Sequence, residues 1–237
     1  MLDKDMREPL FDFLDDWYGK IRVIEEKTIL SSRADVLGVI DGAIIGIELK
    51  SDHDTYQRLK TQIRDYEKVC DYCYAAVGQS HVKHIAEHIP DYWGILVVTD
   101  EDTYLMREAE ENPNLVMKAQ IALMWRRELD MLLQKNELPK YKGRSKAFVE
   151  ERLLALLPLS DLKRQMTDLI FERDYTIFEQ QPKATFRSTK SGIKVRRKSS
   201  VKRKKTSDSI KKDRERAHTT HYIAGRKRKK SVSRKNT

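Results

Sequence analysis

An Asp–Gly pair between two apolar runs constrains this chain more than any other feature. Residues 33–50 read Arg33-Ala34-Asp35-Val36-Leu37-Gly38-Val39-Ile40-Asp41-Gly42-Ala43-Ile44-Ile45-Gly46-Ile47-Glu48-Leu49-Lys50. Asp-Gly favours a two-residue type I′ turn, so the runs on either side predict a β-hairpin. The register then sets Ile40 against Ala43 and, five steps outward, Asp35 against Glu48. Side chains alternate along a strand, so Asp35, Glu48 and Lys50 share one face. The remaining positions in both runs are Val, Ile, Leu, Ala or Gly, the pattern of strands buried on both faces. Two carboxylates opposed in such a place repel each other and call for a cation. A divalent metal with a nearby lysine answers that need. An ordinary charged pair at the end of a surface hairpin is the bland alternative.

Asp35 followed by Glu48-Leu49-Lys50 on the next strand resembles the core motif of PD-(D/E)XK nucleases, with Ala34 where the motif has proline. Gln62-Ile63-Arg64-Asp65-Tyr66 resembles the Q-x-x-x-Y element of the RecB-like branch. The ordered set Arg33-x-Asp35, Glu48-x-Lys50-Ser51-Asp52-x-Asp54-Thr55, Arg58-Leu59 and Gln62-x-x-x-Tyr66 is similar to a group of small bacterial and phage proteins of that superfamily. The likeness is clearest over residues 1–100 and fades after 115. It implies a restriction-endonuclease-like fold that hydrolyses DNA with Mg²⁺ or Mn²⁺. Asp35, Glu48 and the Leu49 carbonyl would hold the metal, with Glu8 on a first helix and Glu26 on a first strand as further ligands. Lys50 would be catalytic, Gln62 and Tyr66 would position it and the DNA strand, and Arg33 and Arg58 would contact phosphates.

Charge is divided sharply along the chain. From Lys183 onward there are 22 Lys or Arg against three acids, whereas the whole chain is +10, so residues 1–182 are net negative at −9. The 183–237 segment has few large apolar residues and cannot bury enough surface to offset chain entropy, which predicts a disordered basic tail. Its clusters, including Arg196, Arg197, Lys202, Arg203, Lys204 and Lys205, suit non-specific phosphate binding. No apolar run is long enough to span a bilayer and the N-terminus is charged, so a cytoplasmic protein without a membrane partner is expected. Two cysteines give no disulfide framework.

Periodicity places a helix over 8–18, with Pro9 at its first position and Leu10, Phe13, Leu14 and Trp17 on one face. A strand over 21–30 puts Glu25 and Glu26 on opposite faces. After the hairpin, a helix runs from Asp54 to Val69; Gln62 and Tyr66, four apart, share one side of it. Strands over 72–77 and 93–99, a short helix over 82–89 and an edge strand within 100–111 complete an α/β domain over 1–115 with a mixed sheet flanked by helices. Residues 116–178 read as an all-helical addition, with helices over 116–135, 145–157 and 160–174, the last capped by Ser160. Leu138-Pro139 to Gly143, with Lys146 and Glu151-Arg152-Leu153, resembles helix–extended–helix DNA-binding motifs; a bundle that buttresses the sheet is the alternative.

Cys70-x-x-Cys73 lacks the partners of a zinc or iron–sulfur site and ends a helix, which predicts core cysteines. His81, His84 and His88 share a stripe that reads as a solvated face. The expected function is a metal-dependent deoxyribonuclease acting in repair, recombination or phage and mobile-element processing. Two other classes compete with it: a non-cleaving nucleic-acid-binding or repair-accessory module, and an assembly factor whose tail tethers DNA to a protein partner.

Overall fold

The computed structural model describes residues 1–174 and 220–224. Their elements run α1 (Asp3–Tyr18), β1 (Lys20–Ile29), β2 (Ser32–Ile40), β3 (Ala43–Lys50), α2 (Leu59–Glu67), β4 (Tyr72–Val77), β5 (Gly94–Val98), β6 (Thr103–Arg107), α3 (Met117–Ile121), α4 (Arg126–Lys135), α5 (Lys146–Leu156), α6 (Leu159–Phe171) and β7 (Thr220–Ala224). The sheet order is β6-β5-β4-β3-β2-β1, with β7 added beyond β1. β1, β2 and β3 are antiparallel neighbours, β3, β4 and β5 run parallel, and β6 closes the other edge antiparallel. This is the expected α/β mixed sheet flanked by helices.

β3 lies at the centre, and seven of its eight residues are buried. Successive side chains enter two cores. Ile45, Ile47 and Leu49 meet Met6, Leu10 and Leu14 of α1 on one face. Ile44 joins Tyr66, Trp93 and the apolar sides of α4, α5 and α6 on the other. Helices 117–171 therefore share a core with the sheet. Asp71 ties them further: one oxygen accepts from the Ile44 N–H at 2.8 Å and Gln120 Nε2 at 2.7 Å, and the other pairs with Lys163 of α6. At the hairpin tip, the Gly42 N–H donates to Thr167 Oγ1 at 3.0 Å.

Several expected boundaries shift for local reasons. The hairpin has its two-residue loop, but only Gly42 has positive φ (71°), whereas a type I′ turn needs it at both central residues. α1 begins five residues early because the Asp5 carboxylate accepts the Leu2 N–H at 3.1 Å, and Pro9 is inside the helix. α2 begins late, since Asp54 accepts both the N–H and the hydroxyl of Ser51 (2.8 and 2.6 Å) and holds a loop instead. The helix expected over 116–135 is broken: Glu128 reaches back to the Trp125 N–H at 2.6 Å and starts a new helix there. Ser160 is inside α6, and Pro158 occupies the position before its first residue; Ser145 caps α5 by accepting the Phe148 N–H at 3.2 Å.

Residues 79–89 form two 3₁₀ turns instead of a helix, and His81 is buried, not solvated. Its Nε2 donates to the Ser51 carbonyl at 2.9 Å, and its Nδ1 accepts from the Tyr56 hydroxyl at 2.7 Å. Cys70 and Cys73 are free and buried, and burial pushes the Cys73 thiol well above the ordinary thiol range, as core cysteines require. The expectation of disorder over 183–237 falls outside the described residues except at Thr220–Ala224, which extend the sheet at the β1 edge. An edge strand presents unpaired backbone groups that invite such an addition.

Tyr66 packs flat against β3 because residue 46 has no side chain. A Cβ there would stand 2.4 Å from Tyr66 Cδ1 and 2.6 Å from Cys70 Sγ. Gly46→Ala should therefore force α2 away from the sheet and cost about 1–3 kcal/mol, as overpacked cores do. Urea titration checks this, and an unchanged midpoint would show that α2 tolerates the shift.

Candidate active site

β2 and β3 pair with partner numbers summing to 83, from Ile40↔Ala43 out to Val36↔Ile47. The ladder stops there, one step before Asp35 and Glu48. Tyr66 explains the stop. Its hydroxyl accepts the Asp35 N–H at 2.9 Å and donates to the Ile47 carbonyl at 3.2 Å, standing between the two backbones. Tyr66 is fully buried, and burial followed by the charges of Glu48 and Asp35 holds its pKa well above the ordinary value, so the hydroxyl keeps the proton it donates. Tyr66 thus positions the strand ends and does not face a DNA strand.

In the mouth formed where the strands part, Asp35 Oδ2 accepts the Leu49 N–H at 2.9 Å. The Lys50 carbonyl accepts the Gly78 N–H on the β4 side (2.9 Å). Strand alternation then turns both backbone groups of Leu49 toward β2, which places the Leu49 carbonyl beside Asp35. Glu48 is 1% exposed and Lys50 6%. Lys50 Nζ donates to Glu48 Oε1 at 2.6 Å and to Gln62 Oε1 at 3.4 Å. Glu48 Oε2 is buried with no hydrogen-bond partner. Burial, and next the charge of Glu48, raise the pKa of Asp35 from the usual carboxylate range to about 8. Were both carboxylates ionised, the pair would carry one negative charge more than the single lysine offsets.

Five expected site residues, Asp35, Glu48, Lys50, Gln62 and Tyr66, come together, with the Leu49 backbone beside them. Glu8 and Glu26 do not join them. Glu8 is exposed and lines a separate surface cleft with Asp12 and Asp102. Glu26 has positive φ (54°), a kink that cancels the alternation. Both Glu25 and Glu26 consequently meet Arg7, at 2.7 Å each, and the second oxygen of Glu26 pairs with Arg33 Nε at 2.6 Å. Arg33 remains 54% exposed, and Arg58 is exposed just before α2. Asp3 is the acid on α1 whose charge reaches Asp35. Only a helix start at residue 3, not 8, could have revealed it. Arg196, Arg197, Lys202, Arg203, Lys204 and Lys205 lie outside the described residues.

Among the described residues, no group of three or more His, Cys, Asp or Glu side chains is arranged to hold a metal. The pair nevertheless fits a divalent cation by its chemistry: an orphaned buried carboxylate oxygen, a second carboxylate whose pKa burial and then the charge of Glu48 raise, and a carbonyl turned to the same side. Mg²⁺ binds through one or two carboxylates and keeps several waters.

A family model described as bacteriophage P4 protein cII matches residues 10–194. The chain belongs to that family. The match includes Asp35, Glu48, Lys50, Gln62 and Tyr66 and leaves out Asp3 and Glu8. A protein of unknown function from Silicibacter pomeroyi is similar in structure, with a TM-score of 0.37 and 23% identity, covering 61% of this chain and 99% of its own. No curated protein matches. Among the described residues of this P4 cII family member, no helix is long and apolar enough to cross a membrane.

A carboxyl with a raised folded pKa stabilises the fold while protonated. That contribution is complete below the unfolded value near 4 and is lost as pH rises through about 8. Metal-free protein should lose stability across this interval, at up to about 1.4 kcal/mol per pH unit relative to Asp35→Asn. Urea titrations of both proteins from pH 5 to 9 measure the difference. Parallel profiles would show that Asp35 ionises freely.

Proposed function

We propose that this P4 cII family member is a metal-dependent nuclease of the PD-(D/E)XK type that hydrolyses phosphodiester bonds in DNA. The observation that carries the reading is the mouth between β2 and β3, where Asp35, Glu48 and Lys50 are held in a poorly solvated cleft with one buried carboxylate oxygen unused.

Asp35, Glu48 through Oε2, and the Leu49 carbonyl would hold Mg²⁺ or Mn²⁺. Bound there, the ion would polarise the scissile phosphate and acidify a water. Lys50 would orient that water or, by a hydrogen bond from Nζ to a phosphate oxygen, stabilise the charge that builds on the pentacovalent phosphate. Gln62 restrains the lysine by accepting from Nζ, and Tyr66 keeps the strand ends apart so that the carboxylates face the cleft and not a ladder partner. Arg58, exposed just before α2, and Arg33, exposed while paired with Glu26, would contact phosphates flanking the scissile one.

Circular single-stranded and circular duplex DNA, each incubated with Mn²⁺ or EDTA, test the proposal. Wild-type protein should cleave only with metal. Asp35→Asn and Glu48→Gln should hold or raise metal-free stability, because they remove the repulsion, while losing both cleavage and the rise in melting temperature that Mn²⁺ induces by mass action. Lys50→Ala should lose about 100-fold or more in cleavage rate yet keep the metal-induced rise. Its metal-free stability should fall, since Glu48 is then buried without a partner. A metal-induced rise that persists in the Asp35 and Glu48 variants would remove the metal site and the nuclease with it. Metal binding without cleavage of any DNA would favour a non-cleaving module.

A further inference from the structure

A second cluster of charge lies in the helical part, away from the carboxylate pair in composition and in sign. A groove of about 620 Å³ between α4 and the loop leading to α5 is lined by Arg126, Arg127, Lys140, Lys142 and Arg144, with Tyr141 among them. Asp130 is the one acid on its wall, and it is paired with Arg126. None of Arg127, Lys140, Lys142 and Arg144 has an ion-pair partner among the described residues, and all four are exposed. Arg144 is spread over the Phe148 ring at 5.2 Å, and Arg126 also donates to the Tyr141 carbonyl at 3.2 Å.

Four unpaired cations gathered on a body whose first 182 residues are net −9 are not explained by overall charge. Like charges held together repel, and the ion pair in the groove, Arg126 with Asp130, leaves these four cations without an ion-pair partner among the described residues. The groove is built for an anion from outside it. The chain's own 183–237 segment is not that anion, since it carries +19. A row of cations along a groove matches a row of anions better than a single one, and the arginines present planar forks that suit phosphate.

We infer that the α4–α5 groove binds the phosphate backbone of DNA, as a contact surface separate from the Asp35–Glu48 mouth and independent of hydrolysis. The contacts read no base sequence, because backbone phosphates carry none. They hold a DNA segment against the helical part by charge neutralisation, with the salt dependence that counterion release imposes.

The test uses the full chain in EDTA, so that binding is read without cleavage, and labelled 30-mer duplex and single-stranded DNA followed by anisotropy over a KCl series. The triple variant Arg127→Glu, Lys142→Glu, Arg144→Glu is compared with Lys4→Glu, Lys68→Glu, Lys83→Glu, which alters net charge equally at exposed positions outside the groove. The groove variant should bind at least 10-fold more weakly at moderate salt, and its slope of log affinity against log salt should flatten by about 2–3. The control variant should stay within about 2-fold of wild type. DNA should also protect Lys140 and Lys142 from acetylation in the wild-type protein. Matching unfolding profiles establish that both variants fold. Equal weakening in the two variants, or no protection of Lys140 and Lys142, overturns the inference. A groove variant that loses only self-association, measured by sedimentation, assigns the groove to a second copy and overturns it as well. The nuclease reading is tested by cleavage with Mn²⁺ and this one by binding in EDTA, so failure of the one and failure of the other give different results.

Discussion

Repulsion between Asp35 and Glu48 is the constraint from which the local structure can be understood. Two carboxylates in one poorly solvated cleft cannot both be charged at low cost, and the protein answers in three ways. One is kept protonated well above its usual pKa. The other is neutralised by Lys50. The strand ends carrying them are bridged by a buried tyrosine hydroxyl that bonds both backbones, at the Asp35 N–H and the Ile47 carbonyl. An arrangement that sacrifices a ladder step and leaves a buried oxygen without a partner is not what packing alone would select. Local strain and unsatisfied groups of this kind are characteristic of sites kept for a ligand or a reaction.

The surroundings serve this mouth at several removes. Gly46 lets the Tyr66 ring reach its place. Asp65 anchors the β1–β2 turn to α2 by accepting from the N–H of Ser31 and the hydroxyls of both Ser31 and Ser32. His81 fixes the loop that follows Lys50 through the Ser51 carbonyl and the Tyr56 hydroxyl. Arg7 gathers Asp3, Glu25 and Glu26 beside the cleft, so acids that would otherwise add to the repulsion are matched by a cation. The helical addition seals the same core from below, through Asp71 and Thr167.

Charge elsewhere in the chain follows a different logic. In the carboxylate mouth the charges interact at short range, with Glu48 and Lys50 buried. The cations of the α4–α5 groove are exposed, where charge acts at longer range, and the segment after residue 183 carries +19 in its sequence. The sign of the charge thus changes along the chain, acidic in residues 1–182 and basic after them, with the groove as a local basic surface on the acidic part.

The hairpin, its register and the shared face of Asp35, Glu48 and Lys50 were legible in the sequence, because strand alternation and a two-residue loop leave no freedom once Asp41-Gly42 is recognised as the turn. The central burial of β3 was legible for the same reason, in an unbroken apolar run. Three matters were decided only by tertiary contacts. Glu26 departs from alternation through a backbone kink that brings both glutamates to Arg7, eighteen and nineteen residues away. Tyr66 points its hydroxyl into the strand gap instead of the cleft, because Gly46 and the core admit the ring only there. Asp3, not Glu8, is the α1 acid felt at Asp35, since a side-chain cap at Asp5 moves the helix start. Each depends on partners distant in sequence, and neither periodicity nor spacing carries information about them.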